Sequence, residues 1–390
     1  MIARLKCAGA ELAYPQTMSK TDGTKPELRF AVGGHAGQVM QDYFLADAMG
    51  AKLSAKFRMY YLLRPLIPIW MRQLMQKSHG GAVSDVSQDW YIPTDFINDF
   101  QAALAVDLKE DPGLHIIHPW PDQHEMCVSL THDVETKAGV GYVDQLAKAE
   151  ESLGFRSCWY FIPYKYSIDK GLIKDLKQRG HSVGVHGYNH DGRLFSSRRV
   201  FQKRLTPILK AFEDFQTDGF RAPMVHRNLN WIQEFGAKHD ASCFDIDPYQ
   251  ALAGGVGSCW PFIKGGMVEL PYSLPQDHTL FIALGQKDIQ PWKRKLEFLK
   301  RWRAMAMLVT HPDYLLSNGR RVQYQNFLEH LQTLENAWFA SPSEIADWWL
   351  QRDKSTIVAN ETGNYEIQGP AADRGRCLAL SEFSDVSPPA

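Results

Sequence analysis

From about residue 120 to residue 350 the chain alternates short runs of β-branched and aromatic residues with helical patterns. Nothing else in the sequence constrains the fold as strongly. Runs at 127–131, 156–162, 182–185, 219–221, 242–244, 267–270, 306–310 and 338–340 read as strands, the second stopped by Pro163. Helical patterns fall between them at about 141–153, 171–179, 197–215, 230–238, 291–303 and 322–336, and Gly180 is a normal stop for the second. Ser341 opens a last helix, with Glu344 three positions on as in a capping box. Strand–helix alternation implies a parallel sheet with crossover helices. Seven or eight such units predict an α/β fold of the distorted (β/α)7–8 barrel type rather than an open sheet, with the chemistry at the carboxyl ends of the strands.

The residues just past those strand ends are chemically rich. They are Asp133 and Glu135, then His186 and His190, then Arg221-Ala222-Pro223, Asp245 and Asp247, Pro271-Tyr272, and His311. His186 and His190 follow Val183-Gly184-Val185 among the turn formers Gly187, Asn189 and Gly192, which places the pair on a loop leaving a strand. Two histidines and one carboxylate make a three-ligand site for a divalent metal, with a position open for water. Asp133 and Glu135 are two apart, so on an extended chain they face the same way and Val134 faces the other. One carboxylate can bind metal while its neighbour serves as a base, and the spacing leaves open which does which. The same two acids also suit the cap and first turn of the next helix, a role compatible with the first.

Five motifs carry a resemblance: Thr131-His132-Asp133-Val134-Glu135, His186-Gly187-Tyr188-Asn189-His190, Arg221-Ala222-Pro223, Asp245 or Asp247, and Met307-Leu308-Val309-Thr310-His311. In order and spacing, residues 121–350 resemble the NodB-homology polysaccharide deacetylases, carbohydrate esterase family four. The resemblance implies a NodB-type barrel that removes an N-acyl group, N-acetyl first of all, from an amino sugar in a saccharide or a lipid- or nucleotide-linked precursor. It implies one divalent cation, zinc, held by Glu135, His186 and His190. Asp133 takes the place of the base that activates the attacking water, and Arg221 that of the group orienting it. His311 takes the place of the acid that protonates the leaving amine, with Asp245 as its partner. Tyr188, Pro223, Asp247 and Tyr272 are the expected substrate contacts. Two departures stand out. The family's second aspartate is Val134 here, so the third ligand is expected one step later at Glu135, the reverse assignment staying open. The small residue of the histidine motif is Gly187 and not Ser or Thr. A cyclic amide or ureide hydrolase of the same superfamily, or a sugar-binding barrel without catalysis, is the alternative.

Outside this region the sequence says less. Residues 1–120 form a mixed α/β extension, and 353–390 a polar tail with room for one hairpin. The formal net charge of -1 speaks against a non-specific nucleic-acid binder. The six cysteines are scattered, form no CxxC pair and read as reduced thiols. No secretory pattern opens the chain and no apolar run nears the roughly 20 residues that span a bilayer, so a soluble cytoplasmic protein is expected. Residues 56–76 combine Lys56, Arg58, Arg64 and Arg72 with Tyr60, Tyr61 and Trp70 and hold no acid. That composition suits contact with the inner membrane face. Pro65 and Pro68 interrupt a helix there, and packing against the barrel is the competing expectation.

Overall fold

In a computed structural model, which describes residues 28–47, 59, 88–250, 252, 254–359 and 364–384, the alternation becomes one curled sheet with helices outside it. The elements run β1 (Leu28–Arg29), α1 (Gly34–Asp47), α2 (Thr94–Glu110), β2 (His115–Ile117), β3 (Met126–Val134), α3 (Lys137–Ser152), β4 (Ser157–Phe161), α4 (Lys170–Gln178) and β5 (Ser182–His186). They continue with α5 (Arg198–Phe215), β6 (Gly219–Arg221), α6 (Leu229–Ile232), β7 (His239–Asp240), β8 (Phe262–Lys264), β9 (Met267–Glu269), α7 (Gln290–Arg301) and β10 (Met305–Thr310). The last are α8 (Pro312–Leu315), α9 (Asn318–Leu331), β11 (Ala337–Phe339), α10 (Pro342–Asp353), β12 (Thr356–Ala359), β13 (Tyr365–Gln368) and β14 (Cys377–Ala379).

Strand order is β10-β3-β4-β5-β6-β7-β9-β8-β1, parallel from β10 to β9 and antiparallel over the last two pairings. The two ends of the parallel set are drawn together by irregular backbone. Phe244 bridges Tyr272, and the N–H groups of Ser273 and Leu274 donate to the Met307 carbonyl of β10 at 3.2 and 3.1 Å. The result is a distorted barrel whose strongly paired members are β10, β3, β4, β5 and β6. β11 pairs with Met126–Val128, on the part of β3 that precedes its pairing with β4. Every residue of β3, β4 and β10 is buried, as both faces of a helix-covered parallel strand must be. The strands also approach closely: a Cβ on Gly184 of β5 would sit 2.4 Å from the Tyr160 ring, so only glycine fits between β5 and that ring.

Several boundaries differ from the sequence expectation. β3 runs three residues past Thr131, so Asp133 lies inside it. α3 begins at Lys137 rather than near 141 because Thr136 caps it, its Oγ1 accepting from the Gly139 N–H at 3.0 Å. The helix expected at 230–238 ends at Ile232 and tightens into a 3-10 turn through Phe235, whose ring packs on Phe220 at 4.7 Å. The strand expected at 242–244 is β7, three residues earlier. α10 carries the expected capping box in full.

The chain outside the barrel is built onto it. β1 pairs with β8, β2 pairs with β14, and β12 and β13 form the tail hairpin. Asp107 of α2 accepts from the His35 and Ala36 N–H groups at the start of α1, and Phe44 of α1 packs on Phe262 of β8 at 5.1 Å. Cys127, Cys158, Cys243, Cys259 and Cys377 are free thiols. No helix among the described residues is long and apolar enough to cross a membrane. The stretch 56–76 lies outside the described residues except for Met59.

Candidate active site

The parallel register brings the candidate residues to one end of the barrel. Asp133 stands opposite Tyr160, and His186 opposite Arg221. Glu135 follows β3, His190 follows the β5 turn in a left-handed conformation (φ 61), and His311 follows β10. The ligand atoms of Glu135, His186 and His190 all lie within 4.8 Å of one another. His190 Nε2 is 2.7 Å from Glu135 Oε1, and His186 Nε2 is 3.9 Å from the same oxygen. His186 Nδ1 donates to the Arg221 carbonyl at 3.1 Å, which leaves Nε2 as the acceptor. That nitrogen is buried and has no hydrogen-bond partner. A buried orphan acceptor beside a carboxylate and a second imidazole fits a divalent cation, as the sequence expects.

Asp133 is held differently. Arg221 Nη1 donates to its Oδ1 at 3.0 Å and to Thr131 Oγ1 at 2.9 Å, while Arg221 Nε donates to the Ala241 carbonyl at 3.0 Å. The guanidinium also lies 4.3 Å over the Tyr160 ring. Asp133 Oδ2 stays 3.6 Å from His186 Nε2. Burial pushes the Asp133 carboxyl up, but His186, Arg221 and His311 outweigh it and hold the group below its usual range. For Glu135 burial is likewise outweighed, by His190, His186 and His311, and the carboxyl lies well below its usual range. Both acids are therefore anions at neutral pH. Burial pushes His190 down, against the pull of Glu135, as suits a neutral ligand.

The partner of His311 is not Asp245. Asp277 fills that place, its Oδ1 2.7 Å from His311 Nδ1 and its Oδ2 accepting the His311 backbone N–H at 2.8 Å. Burial would lower the His311 pKa, but Asp277, then Glu135 and Asp133, push it up to about 10. His311 Nε2 points to the site, 3.8 Å from Glu135 Oε1. Asp245 instead pairs with Lys295 of α7, both side chains fully buried, and accepts from Cys259 and from the Ile246 N–H. A buried lysine needs a counter-charge, and Asp245 is committed to it.

The four expected substrate contacts are placed mainly by packing. The Tyr188 ring is half-buried, with Tyr164 at 4.7 Å and the Arg204 guanidinium 4.7 Å over it. Pro223 is buried against Gly187, where a Cβ would lie 2.4 Å from Pro223 Cδ. That contact and a φ of 63° account for glycine where the family pattern has Ser or Thr. Asp247 is buried and accepts from the Tyr249 N–H, Gln250 and Thr279. Tyr272 is buried with its ring on Phe244 at 5.6 Å. His132, between the motif residues, faces away from the site. It stacks on Trp159 at 4.1 Å and bonds Glu150 at 2.6 Å and Thr310 at 2.7 Å.

No family model matches the chain. Over 255 residues it is 21% identical to a peptidoglycan deacetylase of Helicobacter pylori, a match covering 55% of this chain and 86% of the relative. Among solved structures, a polysaccharide-deacetylase-type protein from Mycobacterium smegmatis is similar at 23% identity and a TM-score of 0.49, covering 58% of this chain and 91% of its own. The PuuE allantoinase is similar at 15% identity and a TM-score of 0.48, covering 60% and 93%.

Proposed function

We propose, for a chain that resembles the NodB-type polysaccharide deacetylases in motif order and is similar in sequence to one named deacetylase, that the protein is a hydrolase of that type. It removes an N-acyl group, in the first instance acetyl, from an amino sugar. One observation carries the reading: a Glu135–His186–His190 group around an orphaned imidazole nitrogen, flanked by an arginine-held Asp133 and an aspartate-held His311.

The donor set suits a divalent cation, zinc in this reading, which when bound would polarise the acyl carbonyl and lower the pKa of water. The chain's own residues supply the rest. Glu135, His186 and His190 are the ligands, because their donor atoms converge and Asp133 is already engaged by Arg221. Asp133 accepts a proton from the attacking water through Oδ2, the oxygen that Arg221 leaves free. Arg221 fixes the direction of that oxygen. His311 Nε2 donates a proton to the amine as the amide C–N bond breaks, and Asp277 keeps Nδ1 protonated and the ring in place. Water is thereby divided between a free amine and a carboxylate. General base and general acid assistance contribute on the order of 10²- to 10⁴-fold each.

The proposal extends to a saccharide precursor reached at the inner membrane face, through the basic and aromatic residues of 56–76. Each Lys or Arg near an anionic surface contributes about 1 kcal/mol. Vesicle flotation that shows no binding at low salt removes this part alone. The activity itself is tested by acetate release from N-acetylglucosamine oligomers, peptidoglycan fragments and nucleotide-linked N-acetyl sugars. Release by the native chain and none by Asp133→Asn supports the reading. No acetate from any of these, together with opening of a cyclic ureide, would transfer the protein to the cyclic-amide alternative.

A further inference from the structure

A cavity of about 280 Å³ lies between the antiparallel edge of the sheet, β2 and the end of α10, and none of its lining residues belongs to the catalytic group. Ile117, Phe262, Ile263 and Trp349 give it apolar walls. Two arginines line it, and their situations differ. Arg29 Nε is paired with Asp353 at 2.6 Å. Arg352 has no carboxylate in ion-pair contact among the described residues. Its Nε donates to the His118 carbonyl at 3.1 Å, its Nη2 donates to the Ile117 carbonyl at 2.6 Å, and its guanidinium lies 4.0 Å over the Trp349 ring. Burial pushes its pKa down to about 9, against a smaller upward pull from Asp353, so it remains a cation at neutral pH.

Asp353 also lines the cavity, but its carboxylate is already paired with Arg29, and a half-buried cation with no ion pair of its own among the described residues is costly to hold. Its orientation is nevertheless fixed, by two backbone carbonyls and one indole face. With Nε and Nη2 each donating to a carbonyl, Nη1 is left to donate to an oxyanion, and little ordering of the side chain remains to be done on binding. The apolar walls beside it suit a short alkyl or ring body. We infer that this cavity binds a small amphipathic anion, one carboxylate or phosphate on an apolar body, with Arg352 as counter-ion and Trp349, Ile117 and Phe262 against the apolar part.

Calorimetric titration of the full chain tests this with four probes: hexanoate, hexyl phosphate, inorganic phosphate and hexanol. The expected result is that hexanoate or hexyl phosphate binds at least ten-fold more tightly than both inorganic phosphate and hexanol. Which of the two wins identifies the headgroup. Arg352→Met, which keeps the aliphatic stem, should lose at least ten-fold. Ala31→Phe, which fills the cavity and leaves Arg352 in place, should lose as much while keeping the native circular dichroism. Should Arg352→Met fail to fold, Ala31→Phe decides alone. Amphipathic anions binding no better than hexanol would overturn the inference, the outcome also expected if another part of the chain fills the space. Binding that survives in Ala31→Phe would overturn it as well.

Discussion

The Arg221 carbonyl accepts a hydrogen bond from His186 Nδ1–H and so decides which of its ring nitrogens faces the centre. The same residue's guanidinium holds Asp133, so one residue at the end of β6, through its carbonyl and its side chain, orders both the proposed ligand and the proposed base. Asp277 does the same for His311, and its role carries a test. Asp277→Asn keeps the shape but removes the charge that raises His311 most among its neighbours. A group with a raised pKa keeps its proton up to that higher value, so losing the charge makes His311 give up its proton at lower pH. We expect kcat to fall by about 10²- to 10⁴-fold and the alkaline limb of the pH–rate profile to move down. An unmoved limb would show that Asp277 does not tune the acid. Asp133, Glu135, His186, His190, Arg221 and His311 were all legible because their spacing is tied to strand ends. Asp277 was not. It follows Leu274-Pro275-Gln276 at the start of a π-helical turn, where no strand or helix periodicity marks it. The one neighbouring cue is that His278 follows it directly.

Among the elements, the β5 turn shows how a motif departure is absorbed. Gly187 sits at φ 63° with Pro223 where a side chain would go, so the missing hydroxyl reflects a local close approach. Gly187→Ser is expected to cost roughly 1–3 kcal/mol in urea unfolding and to weaken metal retention, since His186 and His190 flank the turn. A variant as stable as the native chain would mean that Pro223 moves aside freely. Element type was readable wherever an apolar run was long, as in β3, β4 and β10. Boundaries were not readable where a side chain or a tertiary contact sets them. Thr136 capping α3 and Phe235 packing on Phe220 are the two clear cases. The run 28–32 reads as strand-like and holds β1, but β8, with three residues, is too short for any periodic signal, and the antiparallel pairing at that edge was therefore missed.

Across the whole molecule, Asp245 turns out to be structural. Lys295 of α7 reaches both Asp245 and the Tyr91 carbonyl, joining the barrel to the segment before α2. Removing one partner leaves a buried charge, so Lys295→Met should destabilise the chain by about 3–5 kcal/mol. The double variant Lys295→Met with Asp245→Leu should recover much of that loss. A double variant no more stable than the single one would place the cost in lost packing. The sequence placed a carboxylate near the right strand end, but it could not show that a lysine fifty positions later would claim it. The central claim divides two carboxylates between two jobs, and metal content per chain tests it most directly. Elemental analysis of purified protein should find about one divalent ion in the native chain and in Asp133→Asn, and none in Glu135→Gln or in His186→Ala with His190→Ala. Metal lost from Asp133→Asn but kept by Glu135→Gln would contradict the account.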